Sequence, residues 1–64
     1  MIDDLWMLII DSRDLCYGRI YKVDRICGNE YHANIKKYTT LYFYINEIKI
    51  FKSEEQALKY KSMI

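Results

Sequence analysis

His32 is the only histidine in the chain, and Cys27, one of two cysteines, lies five positions before it. A thiol and an imidazole brought together across a hairpin would form a nucleophile–base pair, because the base takes the thiol proton as the sulfur attacks. No Asn or Asp stands where it would orient the ring, so His32 reads as a solvated histidine on the polar side of a strand. Cys16, Cys27 and His32 offer three metal-ligating atoms, but not at zinc spacing. Asp3, Asp4, Asp11 and Asp14 are scattered around strand ends and lack the ligand spacing and glycine of a calcium loop. Two isolated glycines, Gly18 and Gly28, cannot build a phosphate-cradling loop. These residues imply no catalytic centre, no cofactor and no metal, and the chain reads as a non-enzyme.

A different chemistry is written in Tyr42, Tyr44, Lys49 and Phe51. Strand alternation puts Tyr42 and Tyr44 on one face, and a hairpin would bring Lys49 and Phe51 beside them. Such a patch suits protein contact, because aromatic residues bring large area at low entropic cost. Lys36 and Lys37 lie just upstream. With Tyr42 and Tyr44 they form an alternative, single-stranded nucleic-acid site, in which bases stack on the rings and phosphates meet the lysines. The plain alternative is that Tyr42, Tyr44 and Phe51 only make the surface on which a helix packs. Trp6 reads as a core residue.

Charge separates these readings. Ten Lys and Arg oppose nine Asp and Glu, for a net charge of +1. That balance gives no long-range pull toward nucleic acid or anionic lipid. Hydrophobic residues make up 52% of the 64-residue chain, which excludes disorder. A chain of this size buries roughly 60% of its unfolded surface, enough for one modest core. Dimerisation or a partner would add to it. Ile, Tyr, Lys and Asn supply 27 residues. Their AT-rich codons point to a low-GC bacterium, its phage or a mobile element. Asp3 and Asp4 stand where a secretory signal would be basic, and the apolar run Leu5–Ile10 is too short for a leader or a membrane span. The expected location is the cytoplasm, where Cys16 and Cys27 stay reduced and act as small apolar fillers.

The elements that must position these residues follow from the pattern. Leu5–Ile10 is continuously apolar, which fits a strand buried on both faces. Asp11–Asp14 reads as a turn. A second strand is expected over about Leu15–Ile26, with Gly18 at a bulge or bend. Gly28-Asn29 suits a type II′ hairpin turn into a third strand, Tyr31–Ile35. A two-residue loop there pairs Ile26 with Tyr31 and turns Tyr21 and Val23 to the polar side. An odd-length loop would set Val23 opposite Ile35 and bury more apolar surface. A last hairpin, Leu41–Ile45 with Ile48–Lys52, would turn at Asn46-Glu47, although Glu47 suits positive φ poorly. Ser53 and Gln56 have capping-box spacing and open a helix over about 54–63. Ala57, Tyr60 and Ile64 share one side of it, with Leu58 at the flank.

The expected fold is a single α+β domain over residues 1–64: an antiparallel meander or partly open barrel of four to five strands, closed by the C-terminal helix. The expected function is a small protein-binding module, such as a regulator or inhibitor of a host protein encoded by a phage or mobile element. Single-stranded nucleic-acid binding and a self-associating structural role are the alternatives.

Overall fold

The computed structural model describes residues 4–37 and 39–63. Along the chain run β1 (Trp6–Ile9), β2 (Ile20–Lys22), β3 (Arg25–Cys27), β4 (Glu30–Lys36), β5 (Thr39–Tyr44), a 3-10 turn (Ile45–Glu47), β6 (Ile48–Phe51) and α1 (Glu54–Lys61). The strands form two three-stranded antiparallel sheets, ordered β2-β1-β6 and β3-β4-β5. The small α+β class holds. The strands do not form one meander, and the sheets are not closed into a barrel.

The two sheets share a core. Met7, Ile9 and Ile48 of the first sheet meet Ala33 and Phe43 of the second, with Val23 at the crossing between them. Tyr21 stacks on Phe43 across the gap, ring centroids 6.1 Å apart. The continuous apolar run of β1 has its expected consequence. Met7 and Ile9 face the second sheet, and Leu8, also fully buried, alternates to the opposite face.

The helix covers that opposite face, packing over β1, β2 and β6. Its start is set by the predicted residues. Ser53 Oγ accepts the Gln56 N–H at 3.2 Å, and Gln56 Oε1 accepts the Lys52 N–H at 3.3 Å, one residue upstream of the N-cap. Ala57 is the one helical residue fully buried, and its small side chain lets the helix lie close to the sheet. Tyr60 packs on Phe51 with centroids 5.5 Å apart, and Lys49 Nζ sits 5.1 Å from the Tyr60 ring centre. Leu58 is exposed rather than at a packed flank. Ile64, the last member of the expected stripe, lies outside the described residues.

Two expectations about pairing are corrected. The long second strand is two short ones in different sheets, and residues 11–18 are turns before Ile20, so Gly18 (φ +82°) lies outside any strand. Its N–H donates to the Ile9 carbonyl at 2.9 Å. The chain changes sheets at Val23-Asp24. The Val23 N–H donates to Leu5 O, and the Asp24 N–H to His32 O, each at 2.8 Å. Arg25 is already in register with His32, so two residues stand against one, which bends and twists the strand. The two-residue turn at Gly28-Asn29 is present, with Ile26 opposite Tyr31. Of the two turn residues only Gly28 has positive φ (+59°), as type II′ requires. The odd-length loop is absent, yet Val23 is still buried, because the bend drops it between the sheets.

The last expected hairpin does not form. β5 pairs with β4, and β6 pairs with β1. No non-glycine residue adopts positive φ among the described residues, so Asn46-Glu47 cannot make a type I′ turn and folds into the 3-10 corner instead. Both sides of that corner are fixed. The Ile45 N–H donates to Asn29 O at 3.0 Å, and the Ile10 N–H to Glu47 O at 2.9 Å.

Candidate functional site

The helix shields the first sheet only. On the second sheet, Ile26, Tyr31, Ala33, Leu41 and Phe43 point into the core. Alternation therefore sends Arg25, Cys27, Glu30, His32, Asn34, Thr40, Tyr42 and Tyr44 to the outer face. The register arranges them in rows: Cys27–Glu30–Tyr44, Arg25–His32–Tyr42, then Asn34–Thr40. No described element packs over this face.

Its centre is a short aromatic line. The His32 and Tyr42 rings lie 5.8 Å apart, and Tyr42 meets Tyr44 edge-on at 6.1 Å. Tyr42 is 55% exposed and Tyr44 46%. His32 Nε2 lies 3.2 Å from Glu30 Oε1, which holds the ring in place. Hollows flank the line. One, of about 450 Å³, is lined by Asp24, Arg25, His32, Asn34 and Thr40. Its floor is rigid, because Asp24 Oδ2 accepts the Asn34 N–H at 2.6 Å and the Thr40 hydroxyl donates to Asn34 Oδ1 at 2.9 Å. The other, of about 480 Å³, is lined by Ile10, Asp11, Ser12, Arg13, Tyr44, Asn46 and Glu47. Tyr44 joins the line to this second hollow.

The four residues expected in one patch are divided. Tyr42 and Tyr44 lie on the open face. Lys49 and Phe51 lie on the other sheet, where Phe51 packs on Tyr60 of the helix and the exposed Lys49 reaches over the same ring. The physical reason is the 3-10 corner, which sends β6 away from β5. Lys36 and Lys37 are exposed at the end of β4, past a bulge between Asn34 and Lys36. Trp6, on the helix side of β1 opposite Phe51, is half-buried.

The sulfur and carboxylate candidates are dispersed. His32 is engaged with Glu30 and Tyr42, and Cys16 lies in the 11–18 loop, packed against the core. Both cysteines are free thiols. Asp4 pairs with Lys22 at 3.4 Å, and Asp14 Oδ1 accepts the Cys16 N–H at 2.7 Å. Asp3 lies outside the described residues. Among the described residues no group of three His, Cys, Asp or Glu is placed to hold a metal. None of their helices is long and apolar enough to cross a membrane.

Local contacts displace the titrations of Asp11 and Tyr21, among others. Hydrogen bonds from the Arg13 side chain and backbone hold the Asp11 carboxyl below its ordinary range. Burial, then the bond with Cys16, pushes the Tyr21 hydroxyl up, against the opposing pull of Arg19.

Arg25, Glu30 and Thr40 were not among the residues marked in the sequence. What gathers them with Tyr42 and Tyr44 is β5 lying beside β4, which no local pattern announces. Leu15 was also passed over. It is 99% exposed at the tip of the 11–18 loop, whose shape is fixed by side-chain-to-backbone bonds from Asp11 and Asp14.

No protein-family model, curated protein or solved structure matches this chain.

Proposed function

We propose that this chain is a small, non-enzymatic protein-binding module whose contact surface is the outer face of the second sheet, centred on Tyr42 and Tyr44. One observation carries the reading: the one α-helix among the described residues is spent on the first sheet, which leaves half-exposed aromatics in line on an uncovered face. Such rings bind by filling partner pockets and excluding water. Lys49 and Phe51 leave the proposed site, since the helix uses them. His32 and Arg25 join it.

Protein is favoured over nucleic acid by the carboxylates. Asp24 and Glu30 belong to the same face as the tyrosines and would oppose phosphates there. Lys36 and Lys37 lie at the end of β4, and the net charge is only +1. Composition adds the setting: a regulator or inhibitor of a host protein, carried by a phage or mobile element and acting in the cytoplasm with both thiols reduced.

The test is affinity capture from a low-GC bacterial lysate, with and without nuclease, using the wild type and a Tyr42→Ala, Tyr44→Ala double variant. A stoichiometric, nuclease-resistant partner lost by the folded double variant supports the reading. A partner that the double variant keeps at wild-type affinity removes this face from it. Capture that disappears with nuclease and with rising salt replaces the protein partner with a nucleic acid.

A further inference from the structure

Each sheet has two edge strands, and a bare edge is a template for pairing. Three of the four are short and carry a cation: Lys22 in β2, Arg25 in β3 and Lys49 in β6. β5 differs. It is six residues long, Thr39–Tyr44, with no charge and no proline. Side chains at Thr40, Tyr42 and Tyr44 point outward, and those at Leu41 and Phe43 inward.

The direction of its backbone groups is fixed by two hydrogen bonds. In an antiparallel ladder, alternate residues bond to one neighbour and those between turn away. The Ile45 N–H donates to Asn29 O, on the β4 side. The Tyr44 N–H donates to Glu47 Oε1 at 3.0 Å instead. The odd-numbered residues therefore serve β4, and Thr40, Tyr42 and Tyr44 direct their amides and carbonyls to the free edge. Glu47 occupies the Tyr44 amide, which leaves the Thr40 and Tyr42 amides open.

We propose that the β5 edge pairs antiparallel with β5 of a second copy about a two-fold axis at Tyr42, joining the two second sheets into one. In this register the Tyr42 amide of each copy meets the Tyr42 carbonyl of the other. The Thr40 amide meets the Tyr44 carbonyl of the second copy, and that Tyr44 amide stays on Glu47. Inward residues face inward ones, Leu41 against Phe43, so the cores line up. Charge selects a second copy as occupant. Self-pairing sets each residue type against its own neighbourhood, and β5 is the one edge where that brings no like charges together. Its ends are opposite in sign. Exposed Lys36 and Lys37 precede β5, Glu47 follows it, and antiparallel pairing brings the basic end of one copy to the acidic end of the other. The pairing would also merge two open faces, doubling the line of Tyr42 and Tyr44.

The test is sedimentation equilibrium of the full chain over a wide concentration range, for wild type, Tyr42→Lys, Thr40→Pro and Thr40→Val, with circular dichroism as the check on folding. The wild type should approach twice the chain mass. Tyr42→Lys places like charges on the axis, and Thr40→Pro deletes an outward amide. Each should weaken association at least about tenfold, twice over by symmetry. Thr40→Val keeps the amide and should associate like the wild type. A second measurement needs no variant: hydrogen exchange at the Thr40 and Tyr42 amides should slow as concentration rises. A wild type that stays monomeric throughout overturns the proposal. So does a dimer whose Thr40 and Tyr42 amides exchange at the dilute rate, or one that Tyr42→Lys leaves intact. Neither result touches the partner-capture experiment, which scores a different protein on the sheet face.

Discussion

Consider Phe43 and Tyr42, adjacent on β5 and similar in size, each replaced by alanine. Phe43 is 5% exposed, stacks on Tyr21 at 6.1 Å and joins a core drawn from both sheets. Truncating a buried Phe costs about 3–5 kcal/mol, the lost transfer energy plus the cavity left behind. A domain of this size has roughly 3–10 kcal/mol in total, so Phe43→Ala removes a third or more of it. Tyr42 faces solvent. Its packing amounts to one cross-strand contact with His32 and an edge contact with Tyr44, each about 0.2–1 kcal/mol. Tyr42→Ala therefore costs about 2 kcal/mol or less. Urea unfolding followed by fluorescence of Trp6, the only tryptophan, reads both. With a slope near 1 kcal/mol per molar urea, Phe43→Ala should lower the midpoint by about 3 M or leave the chain unfolded without urea. Tyr42→Ala should shift it by about 2 M at most. Similar shifts for the two variants would refute the two-sheet core, because a β5 packed by the helix would bury the tyrosine face.

Further outcomes follow from single contacts. Ser53→Ala removes the helix N-cap bond to Gln56, costs about 1 kcal/mol, and should lower the melting temperature by roughly 4–8 °C; an unchanged melt would mean the cap contributes nothing. Tyr21 has a raised folded pKa, so its contribution is whole below the ordinary value of 10.0 and is lost as pH rises through the folded value. Tyr21→Phe should flatten the fall of stability above about pH 10, and an identical alkaline slope would contradict the burial of that hydroxyl. Asp11 is the reverse case: its contribution is present above the ordinary 3.8 and lost as pH falls through the depressed folded value. In an NMR titration, Arg13→Ala should move the Asp11 midpoint up toward 3.8; no movement would mean that Arg13 does not hold the carboxylate in solution.

The readings that held rest on local chemistry. Gly28 permits positive φ where a type II′ turn needs it, and of the two loop lengths the sequence left open the two-residue one is realised, with Ile26 opposite Tyr31. Ser53 and Gln56 satisfy amides within one turn of themselves, so the helix start is visible at short range. The unbroken apolar run Trp6–Ile9 has no polar face to offer, and so it must lie between two covering layers. His32 and Asn34 alternate with Tyr31 and Ala33, so the polar side of β4 was legible too.

What the sequence by itself determined, then, is where β1, β4, β5 and β6 run to within a residue or two, where the Gly28 turn and the helix begin, and which β4 side chains face outward. Only the tertiary structure decided which strands pair. Leu41–Tyr44 and Ile48–Phe51 alternate well enough to zip together as a hairpin, and nothing within them forbids it. They separate because the bend at Val23-Asp24 takes the chain from the first sheet to the second and the 3-10 corner at Ile45–Glu47 takes it back, burying Val23, Phe43 and Ile48 in a single core. That burial is gained between residues far apart in the chain. It divides Tyr42 and Tyr44 from Lys49 and Phe51, and it leaves the face beside His32 open.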